Sequence, residues 1–436
     1  MACIEPPAQP SALDLMLSRA GKSRYPRPSH MLFLLACWVG MLQLIYPVGY
    51  GFGNGYEMSS IGKNLAEHGV FGNPFAPFLT GPTAVVPPLH PFLLGLIYRF
   101  FPGPPGGFIV TIANILANAL IAALMPWLAL LLCRRQAPGI FAGLLWLPAM
   151  RLMPQWDAGF TLAALVLFAV LTAEAIGRGK VSLGAALLAG VAGGLISLAN
   201  PATVMILGLW VLFLLVAHKH STGAAMRFLA TFALAVALCN LPWALRNYGI
   251  WHAFALRTNF GMTLYSSNND CAESSLSRDG QTGCYQQTHP VASPHEIALL
   301  TQLGEVEFDR DRTTRALAWI RSHPRRFLAL TRARMIEFWF PEPGPPSYTM
   351  YAIWMITALS LPGVCFMARH RLPVVWFLGV LWLVYPLMYY IMVSSDRYRY
   401  PVIWTSLLPA GYLLAVLWSK LPWIARRTAL AAHQAN

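Results

Sequence analysis

Long apolar runs recur along this chain from residue 31 to residue 418, and each has to be hidden from water. With 56% hydrophobic and only 11% charged residues in 436 positions, there is too little polar surface to cover such runs in a soluble fold. The chain therefore reads as an all-α polytopic membrane protein. If each crossing takes about 20 residues, the runs give about ten spans: 31–49, 108–132, 138–153, 157–176, 181–199, 201–217, 224–242, 349–368, 372–392 and 400–418. The third is short and must tilt or reach only partway.

Charge supports this layout. Residues 1–30 are rich in proline, and Arg19, Lys22, Arg24 and Arg27 lead into "HMLFLLACWVGMLQLIYPVGY". That run is too long for a signal peptide and has no small-residue cleavage site, so it reads as an uncleaved first helix with its amino end in the cytosol. Alternating sides from there puts Arg134/Arg135, Arg178/Lys180, Lys219/Arg227, Arg369/Arg371 and Lys420/Arg426/Arg427 all inside, as cytoplasmic loops require. These connectors account for most of the +14 formal charge, so the basic balance needs no nucleic-acid partner. The tail at 419–436 would be cytosolic as well.

Two substantial segments remain outside, 50–107 and 243–346, and recognition or catalysis belongs there, on loops held by a helical scaffold. The first contains two amphipathic stretches. "YEMSSIGKNLAEHG" has helical spacing and stops at Gly69, while "PPLHPFLLGLIYRFFPG" opens on prolines and is too short to span, as expected of helices lying in the interface. Spans 108–242 and 347–418 frame the second segment. Within it Cys271 and Cys284 lie on the oxidising side in a turn-rich stretch, which points to a disulfide contributing roughly 3 kcal/mol. Residues 295–340 read as helices interrupted at Pro324, with Glu305 and Glu307 as charges of a solvated face.

The order of phrases then becomes informative. An outer loop follows the first helix and contains "PPLHPFLLGLIYRF"; "LPWALRNYGIWHAF" ends the seventh span; "RTNFGMTLYSSNN" and "LGEVEFDRDRTTRALAWIRSHPRRFLALTRARMIEFWF" lie in the long loop. Over nearly its full length the chain resembles the GT-C glycosyltransferases, in particular bacterial family 39-like membrane proteins related to protein O-mannosyltransferases and the lipid A aminoarabinose transferase. The resemblance implies a GT-C-like bundle and transfer of a sugar from a polyprenyl phosphate carrier to a lipid, glycan or protein acceptor on the outer face of a bacterial inner membrane. Such transfer needs a base for the acceptor hydroxyl and cations for the departing phosphate.

In the family, an acidic residue of the first outer loop faces the acceptor. Here Asn54 stands about where that aspartate is expected, and Glu57 is the only nearby carboxylate. Either Glu57 is the base, or the chain is an inactive member that binds a carrier or glycan. A carboxylate opening an interfacial helix would also be favoured by the helix dipole alone. Asp157, at the outer start of the fourth span, is a second acidic candidate or a simple helix cap.

For the phosphate, Arg246 comes first and Arg397 with Arg399 second, with Asp396 holding one of these in place. His90 and Arg99 are substitutes for a lysine that relatives carry where Val86 stands here. Basic residues at helix ends also snorkel to headgroups without further role. No His or Cys grouping has metal-ligand spacing, so no cofactor is expected beyond a loosely bound divalent cation. A transporter is the competing class, but no internal repeat is visible and the spans carry almost no charge.

Overall fold

The computed structural model describes residues 28–45, 57–342 and 347–421. Asn54 and both chain ends lie outside them. Among the described residues there is no β-strand, and seven helices are long and apolar enough to cross a membrane. These comprise α1 (Pro28–Ile45), α4 (Pro104–Cys133), α6 (Ala158–Gly177), α9 (Thr222–Trp251) and α16 (Ser347–Arg369). The last two are the stretch Val374–Ile391, formed by α17 (Val374–Val384) and α18 (Leu387–Ile391), and α19 (Tyr400–Ser419) with the turn before it. Three shorter apolar helices join them: α5 (Ala137–Ala149), α7 (Leu183–Ala199) and α8 (Thr203–Ala217). The chain is a multi-pass membrane protein.

Proline and local backbone needs fix many ends. Pro104 and Pro105 open α4, where the missing N–H costs nothing. Pro386 interrupts the helix between α17 and α18, while Val374–Ile391 remains one stretch long and apolar enough to cross a membrane, within the run read as 372–392. Nothing in "ALRNYGIW" stops a helix, and α9 runs on to Trp251 rather than ending near 242. The third apolar run is short, 13 residues.

At the centre stands α19, whose first fourteen residues, Tyr400 through Leu413, are all buried. Trp404 meets Trp210 at 5.5 Å and Trp210 meets Phe377 at 5.1 Å between ring centroids. A side chain at Gly363 would overlap the Pro409 carbonyl, so that glycine sets how closely α16 crosses α19.

The connectors divide between the two ends. One end holds Arg134, Arg135, Arg178, Lys180, Lys219, Arg369, Arg371 and Lys420 in short turns. The other holds the outer segments and, among the described residues, every carboxylate except Glu174. There α2 (Glu57–His68) packs on α3 (Leu89–Phe100). A β-carbon at Gly62 would lie 2.8 Å from that of Leu94, so the contact is backbone-close. The outer face of α3 keeps Phe92, Leu93, Leu96 and Phe100 exposed, the pattern of a helix with one face in lipid.

The long loop folds over these as α10 (Phe260–Ser267), α11 (Leu276–Thr282), α12 (Cys284–Thr288), α13 (Pro294–Leu303), α14 (Glu305–Ser322) and α15 (Pro324–Trp339). Cys271 and Cys284 are joined by a disulfide.

Candidate active site

Glu57 is the first residue of α2, with its side chain 13% exposed and its Oε1 3.7 Å from His289 Nε2. Asp157 precedes α6 and accepts no backbone N–H of that helix, so its side chain does not act as a cap. Instead one oxygen takes hydrogen bonds from the Thr161 hydroxyl, 3.0 Å, and the Asn200 amide, 3.2 Å. Both carboxylates act electrostatically on the same cation, Arg397.

Arg397 lies on a short 3-10 turn, Asp396–Arg399, directly before the buried α19. Asp396 fixes that turn: it pairs with Arg151, and its other oxygen accepts the Arg397 backbone N–H at 2.9 Å and the Ser395 hydroxyl. The Arg397 guanidinium rests on the Trp156 ring, 3.6 Å from its centroid, with Tyr398 at 5.3 Å. Tyr398 stacks on Tyr389 at 4.9 Å, completing an aromatic wall.

A second guanidinium faces the same space. Arg257, just beyond α9, donates its Nε to the Val85 carbonyl at 2.7 Å, and its charge interacts with Asp157, Arg397, Tyr389 and Tyr398. Its surface is exposed, yet desolvation lowers its pKa. Sequence reasoning missed Arg257, although it opens the quoted phrase "RTNFGMTLYSSNN". His90, 3% exposed, closes another side: its ring lies 5.3 Å from Phe160, and burial lowers its pKa against the pull of Asp157, leaving it neutral near pH 7.

The structure gives the other candidates different surroundings. Arg246 donates to the carbonyls of Thr83 (2.8 Å) and Phe71 (3.0 Å) and to Asn247, and lies against the rings of Phe71, Trp243 and Trp251. Arg399 donates to the Trp339 carbonyl at 2.6 Å and to Ser406. Arg99 ties α3 to the Ala66 carbonyl of α2 at 3.0 Å. None of these hydrogen bonds involves Glu57, Asp157 or Arg397.

Glu305 corrects an expectation. Read as a solvated charge, it is 8% exposed and accepts the Thr83 hydroxyl (2.6 Å), the Ala84 N–H (2.7 Å) and the Thr258 hydroxyl. It clamps α14 to the first outer segment, because three donors converge where no water reaches. Glu307 is 57% exposed and pairs with Arg310.

Among the described residues, no three His, Cys, Asp or Glu side chains stand together as a metal cage. The cluster itself brings together two carboxylates and two guanidiniums on an aromatic floor.

No family model matches the chain, and no curated protein matches it either. Solved structures do. The oligosaccharyltransferase AglB of Archaeoglobus fulgidus, in complex with an inhibitory peptide and a dolichol-phosphate, superposes with a TM-score of 0.55 at 12% identity, covering 94% of this chain and 52% of that one. The Archaeoglobus fulgidus oligosaccharyltransferase in its apo form gives a TM-score of 0.54 at 14% identity, with 92% and 52% covered. The chain has the GT-C fold. It spans about half the length of those oligosaccharyltransferases, and the GT-C bundle here presents its acidic cluster at the end where the folded loops gather.

Proposed function

We propose that this chain is a membrane glycosyltransferase, bacterial family 39-like, that moves a sugar from a polyprenyl phosphate carrier to an acceptor hydroxyl. The observation that carries the reading is that Arg397, seated on the Trp156 ring next to Asp157 in the chain, lies within electrostatic reach of Glu57, Asp157 and Arg257 on a GT-C bundle. Glu57 takes the proton of the acceptor hydroxyl, whose oxygen attacks C1 of the sugar. The bond from C1 to the phosphate oxygen breaks, its electron pair leaves with the polyprenyl phosphate, and Arg397 and Arg257 stabilise that charge. Asp157, held by Thr161 and Asn200, keeps Arg397 turned to the cleft. No cofactor enters these steps, and a divalent cation would be an accessory to them.

The basic connectors at the opposite end favour a cytosolic location for that end, with both termini inside and the loops on the periplasmic face of a bacterial inner membrane. The AglB structure was solved with a dolichol-phosphate and a peptide, which supports a lipid phosphate as donor and keeps protein, besides lipid or glycan, among the acceptors.

The test is transfer of labelled sugar from membrane extracts containing polyprenyl phosphate sugars. Glu57→Gln is expected to lose about 10²- to 10⁴-fold in rate. A fully active Glu57→Gln would move the base to Asp157. Absence of transfer by the wild type across a broad donor set would favour the second reading, a binding-only protein, which Asn54 in place of aspartate motivates.

A further inference from the structure

The long loop delivers one more side chain to the cluster. His289 follows α12, whose first residue, Cys284, is bonded to Cys271. The loop around that bond is tied down in turn: Asn269 accepts the Cys271 N–H at 2.9 Å and donates to the Tyr265 carbonyl of α10 at 2.8 Å. The His289 ring lies flat on Tyr285, 4.7 Å between centroids, with the edge of Phe75 at 6.0 Å. Held this way, the imidazole has little freedom to turn.

Its protonation is set as well. Burial lowers the His289 pKa, with Glu57 pulling it up and Arg397 pushing it down, so the ring is neutral at neutral pH and has a single N–H. Nδ1 accepts the Val291 backbone N–H at 3.3 Å, which assigns that proton to Nε2. Nε2 lies 3.7 Å from Glu57 Oε1, and both side chains are only 13% exposed. The nitrogen facing Glu57 is therefore a donor, and the lone pair that could act as a base is occupied elsewhere. At 3.7 Å the two atoms are in contact just beyond hydrogen-bond length, and catalytic hydrogen bonds commonly tighten when substrate arrives.

We propose that His289 is the positioning residue for Glu57: its Nε2–H holds one carboxylate oxygen so that the other faces the acceptor hydroxyl. This rests on the reading of Glu57 as the base. A residue acting only through Glu57 should lower kcat and leave KM for the donor unchanged.

Transfer kinetics on the full-length protein in nanodiscs, with polyprenyl phosphate sugar extracts as donor, test it in five forms: wild type, Glu57→Gln, His289→Phe, His289→Gln and the double variant Glu57→Gln with His289→Phe. Phenylalanine keeps the ring stack and removes the N–H; it is expected to cut kcat by about 10- to 100-fold, the range for a misaimed reacting group. Glutamine, whose amide N–H reaches about as far as Nε2, should restore most of the rate. The double variant should be no slower than Glu57→Gln alone, since the two act as a unit.

A full-rate His289→Phe, a Gln variant as poor as Phe, or losses that multiply in the double variant would each overturn the proposal. If Glu57→Gln is inactive while His289→Phe is unimpaired, the positioning role alone fails. If Glu57→Gln retains full activity, the reading beneath it fails too.

Discussion

Two regions of the outer end contain the same kinds of side chain and use them differently. Around Arg397, two carboxylates, two guanidiniums and an aromatic floor lie within electrostatic reach of one another, and some polar atoms are left over: no hydrogen bond from a described residue reaches the Nη atoms of Arg257 or the second oxygen of Asp157. Around Arg246 and Glu305, an arginine, a carboxylate and three aromatic rings also meet, yet their donors and acceptors go to backbone groups, hydroxyls and the Asn247 amide oxygen of the protein itself. On the proposed reading the first region keeps its groups for a ligand, while the second uses its own to dock one loop to another. Residue type does not separate a site from a clasp; the destination of each hydrogen bond does.

The sharpest way to break this contrast is at Arg397. Arg397→Ala is expected to lower sugar transfer by about 10²- to 10³-fold, as removal of a group stabilising transition-state charge does, and to leave the melting temperature in detergent unchanged. A protein that melts early instead would make Arg397 a clasp like Arg246.

The converse is expected at the seam. Glu305→Ala strands the Thr83 and Thr258 hydroxyls and the Ala84 N–H, which should cost about 3 kcal/mol and lower the melting temperature by several degrees, with activity per folded molecule preserved. Normal stability with lost transfer would move Glu305 into the site.

The smallest expected effect lies in the disulfide-bearing loop. Asp279 is 2% exposed, accepts the Glu273 N–H at 2.7 Å, and burial raises its pKa from 3.8 to about 6. The folded state therefore binds this proton more tightly than the unfolded chain. Its contribution is complete below about pH 4 and lost as pH rises through about 6, amounting to at most about 3 kcal/mol. Melting temperatures measured from pH 4 to 8 should fall across that window in the wild type and less steeply in Asp279→Asn, whose amide oxygen still accepts the N–H.

What the sequence disclosed follows the same division. Apolar runs, prolines and the sidedness of Lys and Arg declare a helical bundle because each is a local property read against lipid or water. Glu57, Asp157 and Arg397 stood out because carboxylates and arginines at helix ends are few. Arg246 stood out equally, and nothing near it in sequence says that its fork faces carbonyls at Phe71 and Thr83, 175 and 163 residues away. Glu305 looked solvated because its partners are Thr83, Ala84 and Thr258. Arg257 and His289 carry no local signal, since each acquires its direction from a distant contact, the Val85 carbonyl for one and the Tyr285 stack within a cross-linked loop for the other.

The placement of α3 has a consequence for traffic. On one side of this twelve-residue helix, His90 stands buried beside Phe160 and within the field of Asp157. On the other, Phe92, Leu93, Leu96 and Phe100 face outward. The wall between the cluster and the hydrocarbon phase is thus a single helix thick, while the folded loops border it from the aqueous phase. On the proposed reading, a greasy carrier and a water-borne acceptor would approach the cluster by separate doors, and neither would have to enter the other's solvent to meet.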